Sequence, residues 1–128
     1  MRQFGVRSRD VLAVLSAFIL IFSALTSPVT AAGALAIGQC GAYGQAYDFP
    51  TDQAAVAAAR KQCKGQCTTV TMRRACAAIS LDLANPCGAF GYAVAPQISK
   101  AQNTAMRKCY ENGGKDCIIR AWTCDARG

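Results

Sequence analysis

The sequence contains no histidine. That removes the commonest general base and the commonest nitrogen ligand for a metal, and with them the Ser-His and Cys-His nucleophile schemes. Acidic residues are also few, seven Asp and Glu against fourteen Lys and Arg. Beyond the N-terminal stretch they are Asp48, Asp52, Asp82, Glu111, Asp116 and Asp125. They are scattered, so they read as solvated surface rather than as a glycosidase-type pair such as Asp48 with Asp82. No Cys-x-x-Cys occurs, which argues against thiol redox catalysis. Basic residues are not interleaved with aromatics as in nucleic-acid modules, so nothing points to nucleic acid. The expectation is a protein that is not an enzyme, with no catalytic residue, no metal ligand and no cofactor.

What is present is a unit stated twice. Cys40-Gly41-Ala42-Tyr43-Gly44 returns as Cys87-Gly88-Ala89-Phe90-Gly91. Each copy is followed by an Ala-rich helical stretch and three further cysteines, so that Cys40, Cys63, Cys67 and Cys76 answer Cys87, Cys109, Cys117 and Cys124. An internal repeat of this size implies two like supersecondary units that bury their apolar faces against each other.

The chain opens like a secretory signal peptide. Arg2, Arg7 and Arg9 form a basic start, Val11 to Leu25 is an apolar run broken only by Ser16 and Ser23, and Pro28 leads into the small residues Val29-Thr30-Ala31. Cleavage after Ala31 is expected, with Ala32 the near alternative, leaving residues 32–128 as a single domain. The apolar run is shorter than the ~20 residues that span a bilayer. Removal of residues 1–31 takes away three arginines and Asp10, leaving eleven basic and six acidic residues, a net charge of +5. A secreted or periplasmic, basic protein with eight cysteines is expected to hold them as disulfides.

The pattern of elements follows from periodicity and breakers. Gly33 to Gly38 and Gly41 to Phe49 read as strands, stopped by Pro50. Thr51 is an N-cap candidate for a helix from Asp52 to Lys64, ended by Gly65, with Ala55, Ala59 and Cys63 on one face. Cys67 to Arg74, rich in β-branched residues, and Cys76 to Leu81 read as strands. Asn85-Pro86 marks a turn. The second copy repeats the order: a strand over Gly88 to Val94, a helix opened by a Ser99–Gln102 capping box and running to Asn112, and a strand from Cys117 to Cys124. Ala101, Ala105 and Cys109 reproduce the small-residue face of the first helix. The expected fold is α+β, two tandem β-β-α-β repeats over 33–81 and 82–125 with about six strands and two helices. The repeats would share one sheet about a pseudo-twofold axis.

These residues also carry a resemblance. The Ala-rich helix ending in Cys63, then Cys67 with its β-branched strand, Cys76-Ala77-Ala78, Gly91, the second helix to Cys109, and Cys117-Ile118-Ile119 through Trp122 to Cys124 resemble the bacterial family called domain of unknown function 4189. The resemblance runs from about Ala34 to Cys124 and implies a small exported protein without a settled activity. Six cysteines match the family pattern; Cys40 and Cys87 stand outside it.

If the repeats fold alike and each pairs within itself, three disulfide patterns remain. The expected one joins Cys63 to Cys67 and Cys109 to Cys117, tying each helix end to the next strand, and closes each unit with Cys40–Cys76 and Cys87–Cys124. The rival is a cross-unit arrangement with Cys40–Cys87 and Cys76–Cys124. A zinc site on Cys63-x3-Cys67 is the weaker alternative, since thiolate zinc sites belong to reducing compartments. Arg60, Lys61, Lys64, Arg73 and Arg74 in the first unit, with Arg107, Lys108 and Lys115 in the second, form a candidate basic face, although cations at helix C-termini are expected from the dipole alone. Tyr43, Phe90 and Trp122 read as core. The function this supports is an exported, non-enzymatic binding module for an unidentified partner, a protein or an anionic envelope component. The alternative readings are a cationic envelope- or membrane-associating protein or an enzyme inhibitor.

Overall fold

The computed structural model describes residues 31–125, so the leader expected over residues 1–31 lies, but for Ala31, outside the described residues. Six strands and two helices follow one another: β1 (Ala32–Ile37), β2 (Tyr43–Phe49), α1 (Asp52–Gln62), β3 (Thr68–Met72), β4 (Cys76–Asp82), β5 (Phe90–Ala95), α2 (Ile98–Glu111) and β6 (Cys117–Cys124). They form two antiparallel three-stranded sheets, ordered β2-β1-β3 and β5-β4-β6. The protein is an α+β fold of two similar halves, stabilised by disulfides.

The layers follow from which side chains alternate along the two central strands. Ala34 and Ala36 on β1 turn to α1, where they meet Ala46, Ala55, Ala59 and Cys63. Cys76 and Ala78 on β4 turn to α2 and meet Ala93, Ala101 and Ala105. The opposite faces carry the larger groups, and Leu35, Ile37 and Met72 pack against Ala77, Ile79 and Ala121 between the sheets. The order is therefore helix, sheet, sheet, helix, with β1 and β4 buried on both faces. Burying a side chain such as Leu35 or Ile79 contributes about 1.5–3 kcal/mol.

The small stripes on the helices let them lie almost on the backbone of the sheets. A Cβ placed at Gly44 would run into the carbonyl oxygen of Ala59, and one at Gly91 into that of Ala105. Glycine is needed at both places for close approach rather than for a turn. Under α2, Ser80 Oγ donates to Ala105 O at 2.9 Å.

Several expectations need correction. The halves do not share one sheet. Each central strand is hydrogen-bonded on both sides within its own sheet, which leaves only face-to-face contact between the two. Because β4 is the centre of the second sheet, the halves part at residues 73–75, and the expected boundary of 81/82 cuts the second half apart. The Ser99–Gln102 capping box is not formed. Helix α2 starts two residues earlier, at Ile98, with Gln97 instead of Ser99 in the cap position and no side-chain cap bond. Thr51 does cap α1, its Oγ1 accepting from Ala54 N at 3.1 Å.

The disulfides are Cys40–Cys87, Cys63–Cys67, Cys76–Cys124 and Cys109–Cys117. The expected closing pairs Cys40–Cys76 and Cys87–Cys124 are thus incorrect. Cys76 and Cys124 are register partners on β4 and β6, so their bridge lies within the second sheet. That leaves the two copies of the Cys-Gly-Ala motif to join each other across the halves. Four disulfides mark an oxidising environment, extracellular or periplasmic in kind. Among the described residues no helix is long and apolar enough to cross a membrane.

Candidate functional site

The eight basic residues proposed as one face are split by the layering. Arg60 and Lys61 close α1, while Arg107 and Lys108 close α2, and the two helices form opposite outer layers. Several of the charges are also committed. Arg73 makes two hydrogen bonds to Asp52, each 3.1 Å, which hold its guanidinium pKa above the ordinary value. Arg107 pairs with Glu111 at 3.5 Å, and Lys108 Nζ donates to Tyr92 O at 3.1 Å while lying over the Tyr92 ring. Lys64 and Lys115 are exposed at the ends of the helix-to-strand loops, and Arg74 lies exposed in the β3–β4 turn. A single cationic face is not what the fold builds.

Two of the acids taken as solvated are buried. Asp125 accepts hydrogen bonds from Asp48 N at 3.2 Å and Arg74 N at 3.4 Å. Both donors sit in left-handed backbone, φ 59° and 49°, where residues other than glycine rarely rest. The carboxylate thus satisfies two irregular backbone sites, one in the first half and one at the junction of the halves, from the end of the second. Asp82 accepts from Ala84 N at 3.1 Å, Lys115 N at 3.3 Å and Asp116 N at 3.0 Å. Burial alone would raise its pKa, but these bonds and the Lys115 charge outweigh burial and hold it below the usual carboxylate value. Both carboxylates hold backbone in place.

The aromatics, expected in the core, mostly face solvent. Trp122 is 51% exposed and Phe90 45%, while Tyr43 is half-buried; Tyr47, for which no burial was expected, is 56% exposed. The reason is the overhang of the outer strands. The Phe90, Tyr92 and Val94 side of β5 pairs in register with the sheet-facing residues Leu81, Ile79 and Ala77, yet all three side chains remain exposed. Phe90 and Tyr92 line a groove of about 720 Å³ that includes Gln39, Cys40, Cys67, Cys87 and Gly88.

A second groove, of about 730 Å³, runs along β6, the outer strand of the second sheet. Tyr43, Gln45 and Tyr47 of β2 line one side, Gln102 of α2 another, and residues 119–124 of β6 the floor. A β-bulge shapes it. The register on β4 passes from Ile119 to Ala121, leaving Arg120 as the extra residue. Freed from the ladder, Arg120 reaches the first half, where its Nε donates to Gly41 O at 3.2 Å and its guanidinium covers the Tyr43 ring at 5.2 Å. The groove is therefore assembled from both halves and held open by a cross-half contact. The strand spacing of Tyr43 and Tyr47 puts them on one face of β2, but the bulge at Arg120 leaves no mark in the residue pattern.

A sequence model of the family described as Domain of unknown function (DUF4189) matches residues 32–124. No curated protein and no solved structure matches the chain.

Proposed function

We propose that the chain, which belongs to that family of unknown function, works as an exported, non-enzymatic binding module whose binding surface is the groove along β6. The observation that supports this is that Trp122 and Tyr47, both about half exposed, line one groove built on a disulfide-tied frame. Large aromatic groups left in water forgo the stabilisation that burial gives, which a partner covering them can supply. They are also the side chains that most often anchor recognition, because they offer much contact area for little rotamer entropy. A frame held by four disulfides adds preorganisation, so little ordering cost falls on the binding step. The cationic envelope-associating alternative loses support from the separation of the basic residues onto opposite layers.

The test is retention of material from envelope and secreted fractions by the immobilised oxidised protein, at low and high salt. A catch that survives high salt and is lost in a Trp122→Ala, Tyr47→Ala double variant is the expected result. A catch that salt removes and the double variant leaves untouched would overturn the reading.

A further inference from the structure

We infer that the groove along β6 is a site for a pyranose oligosaccharide, neutral or carboxylate-bearing; this rests on the binding-module reading above. The chemistry of the lining carries it. Sugar rings present apolar C–H faces and edges crowded with hydroxyls that both donate and accept. A matching site therefore needs exposed aromatic faces beside uncharged groups with mixed donor and acceptor character. Trp122 and Tyr47 supply the faces, and the side-chain amides of Gln45 and Gln102 supply the mixed groups. The backbone of Gln45 is already closed off by Gln62, whose Oε1 accepts from Gln45 N at 3.2 Å and whose Nε2 donates to Gln45 O at 2.9 Å. That leaves the Gln45 side chain as the part that faces the groove.

Charge narrows the ligand further. Among the described residues no acidic one lines the groove, and its one cation is Arg120. Arg120 is fixed by Gly41 O and the Tyr43 ring through its Nε and its plane, so its terminal nitrogens remain for a hydroxyl or a carboxylate. A single cation does not form the basic track that a nucleic-acid backbone needs. An extended peptide added to β6 would require a regular row of outward backbone groups, and the bulge at Arg120 interrupts that row in mid-strand.

Trp122 is the only tryptophan of the chain, so its emission reports from this groove alone. The oxidised protein is titrated with chitohexaose, cellohexaose and a hexagalacturonate, and with a six-residue single-stranded DNA and an unstructured hexapeptide for comparison. At least one hexasaccharide is expected to shift the emission saturably. By calorimetry, Trp122→Ala should weaken that binding about tenfold, Gln102→Ala should weaken it severalfold, and Tyr110→Ala, an exposed aromatic outside the groove, should not change it. Circular dichroism and the absence of free thiols show that each variant is folded. No shift with any sugar overturns the inference, as does a shift only with DNA or peptide, or binding indifferent to Trp122. If sugars fail while material from the envelope fraction still binds and is lost with Trp122→Ala, the binding-module reading stands and only the sugar is wrong.

Discussion

The two halves of this molecule use one frame and dress it differently. Where helix meets sheet they agree residue for residue: Gly44 and Gly91, Ala46 and Ala93, Ala55 with Ala59 and Ala101 with Ala105, and the bridges Cys63–Cys67 and Cys109–Cys117. Where the outer strands look toward the grooves they differ. Tyr43, Gln45 and Tyr47 on β2 stand where β5 carries Phe90, Tyr92 and Val94. Register places Thr71 of β3 opposite Ala34 as Trp122 of β6 stands opposite Ala78. Even the device that covers the outer strand has diverged. Gln62 both donates to and accepts from Gln45, whereas Lys108, one turn before the end of α2, can only donate to Tyr92 O. Helix contacts at this closeness admit few side chains, so they hold both copies to one solution. The groove faces carry no such constraint, and that freedom is where a ligand can be specified.

The largest test of this comparison separates bridges within a half from the bridge between halves. Cys40–Cys87 closes a loop of 47 residues and Cys63–Cys67 one of 4. On chain entropy alone, replacing the first pair by serines should cost about 4 kcal/mol and the second about 2 kcal/mol. Denaturant unfolding of the two paired variants would measure both. Equal losses would mean that the halves are held by their shared core and Arg120 contact, with the covalent tie adding little.

Next come the close approaches. Gly44→Ala and Gly91→Ala each push a methyl group into a helix carbonyl, at Ala59 and Ala105, and should each destabilise by about 3 kcal/mol. Ala59→Leu and Ala105→Leu should follow at roughly 1–3 kcal/mol. Matching losses in thermal unfolding would confirm equivalent sites. A neutral Ala59 change beside an unfolding Ala105 change would show that the two helices sit differently.

These positions also mark what the sequence could reveal. Element order was legible because Gly, Pro and β-branched residues act locally, and the stripes Ala55-Ala59-Cys63 and Ala101-Ala105-Cys109 are read directly from helical spacing. The short bridges were legible for the same reason. Cys40–Cys87 and Cys76–Cys124 were not, since their partners are chosen by which sheet β4 joins, a long-range fact. The exposure of Phe90 and Trp122 was hidden too. Phe90 shares the sheet-facing side with Leu81 and Trp122 the helix-facing side with Ala78; each is buried only if the opposite layer extends far enough to cover it, and no local pattern encodes that reach. Arg120, which joins the halves beside the groove, lay outside the candidate basic face and inside a segment read only as the closing strand.

A smaller effect should separate the halves at low pH. Asp82 takes three backbone N–H groups at the far end of β4, while Gly38 follows β1 at the corresponding place. Its folded pKa is lowered, so the stability it contributes is fully present above the unfolded value of about 3.9 and is lost as pH falls through the lowered folded value. Hydrogen exchange at decreasing pH should show the amides of Ala84, Lys115 and Asp116 losing protection before those of β1 and α1. In Asp82→Asn this local pH dependence should vanish. Simultaneous loss throughout the molecule would mean that acid acts on the whole structure and not on this site.

The finest test lies at the starts of the helices. Thr51 and Gln97 both precede a helix in extended backbone, with φ, ψ of −140°, 155° and −120°, 142°, but only Thr51 gives its side chain to the first turn. The acid in the first turn is likewise present only in α1, as Asp52. Thr51→Ala should therefore cost about 1 kcal/mol, by leaving Ala54 N without its acceptor. Gln97→Thr should run the other way and stabilise by roughly 0.5–1 kcal/mol, because the backbone is already in the cap conformation and Lys100 N holds the place that Ala54 N holds in α1. Equal and opposite shifts in the unfolding midpoint would show that the two helix starts are interchangeable parts of one repeated unit. If Gln97→Thr changes nothing while Thr51→Ala weakens the protein, then α2 is held by its small-residue face on β4 and β5 and not by its first turn, and the equivalence of the halves stops at the helix–sheet contact.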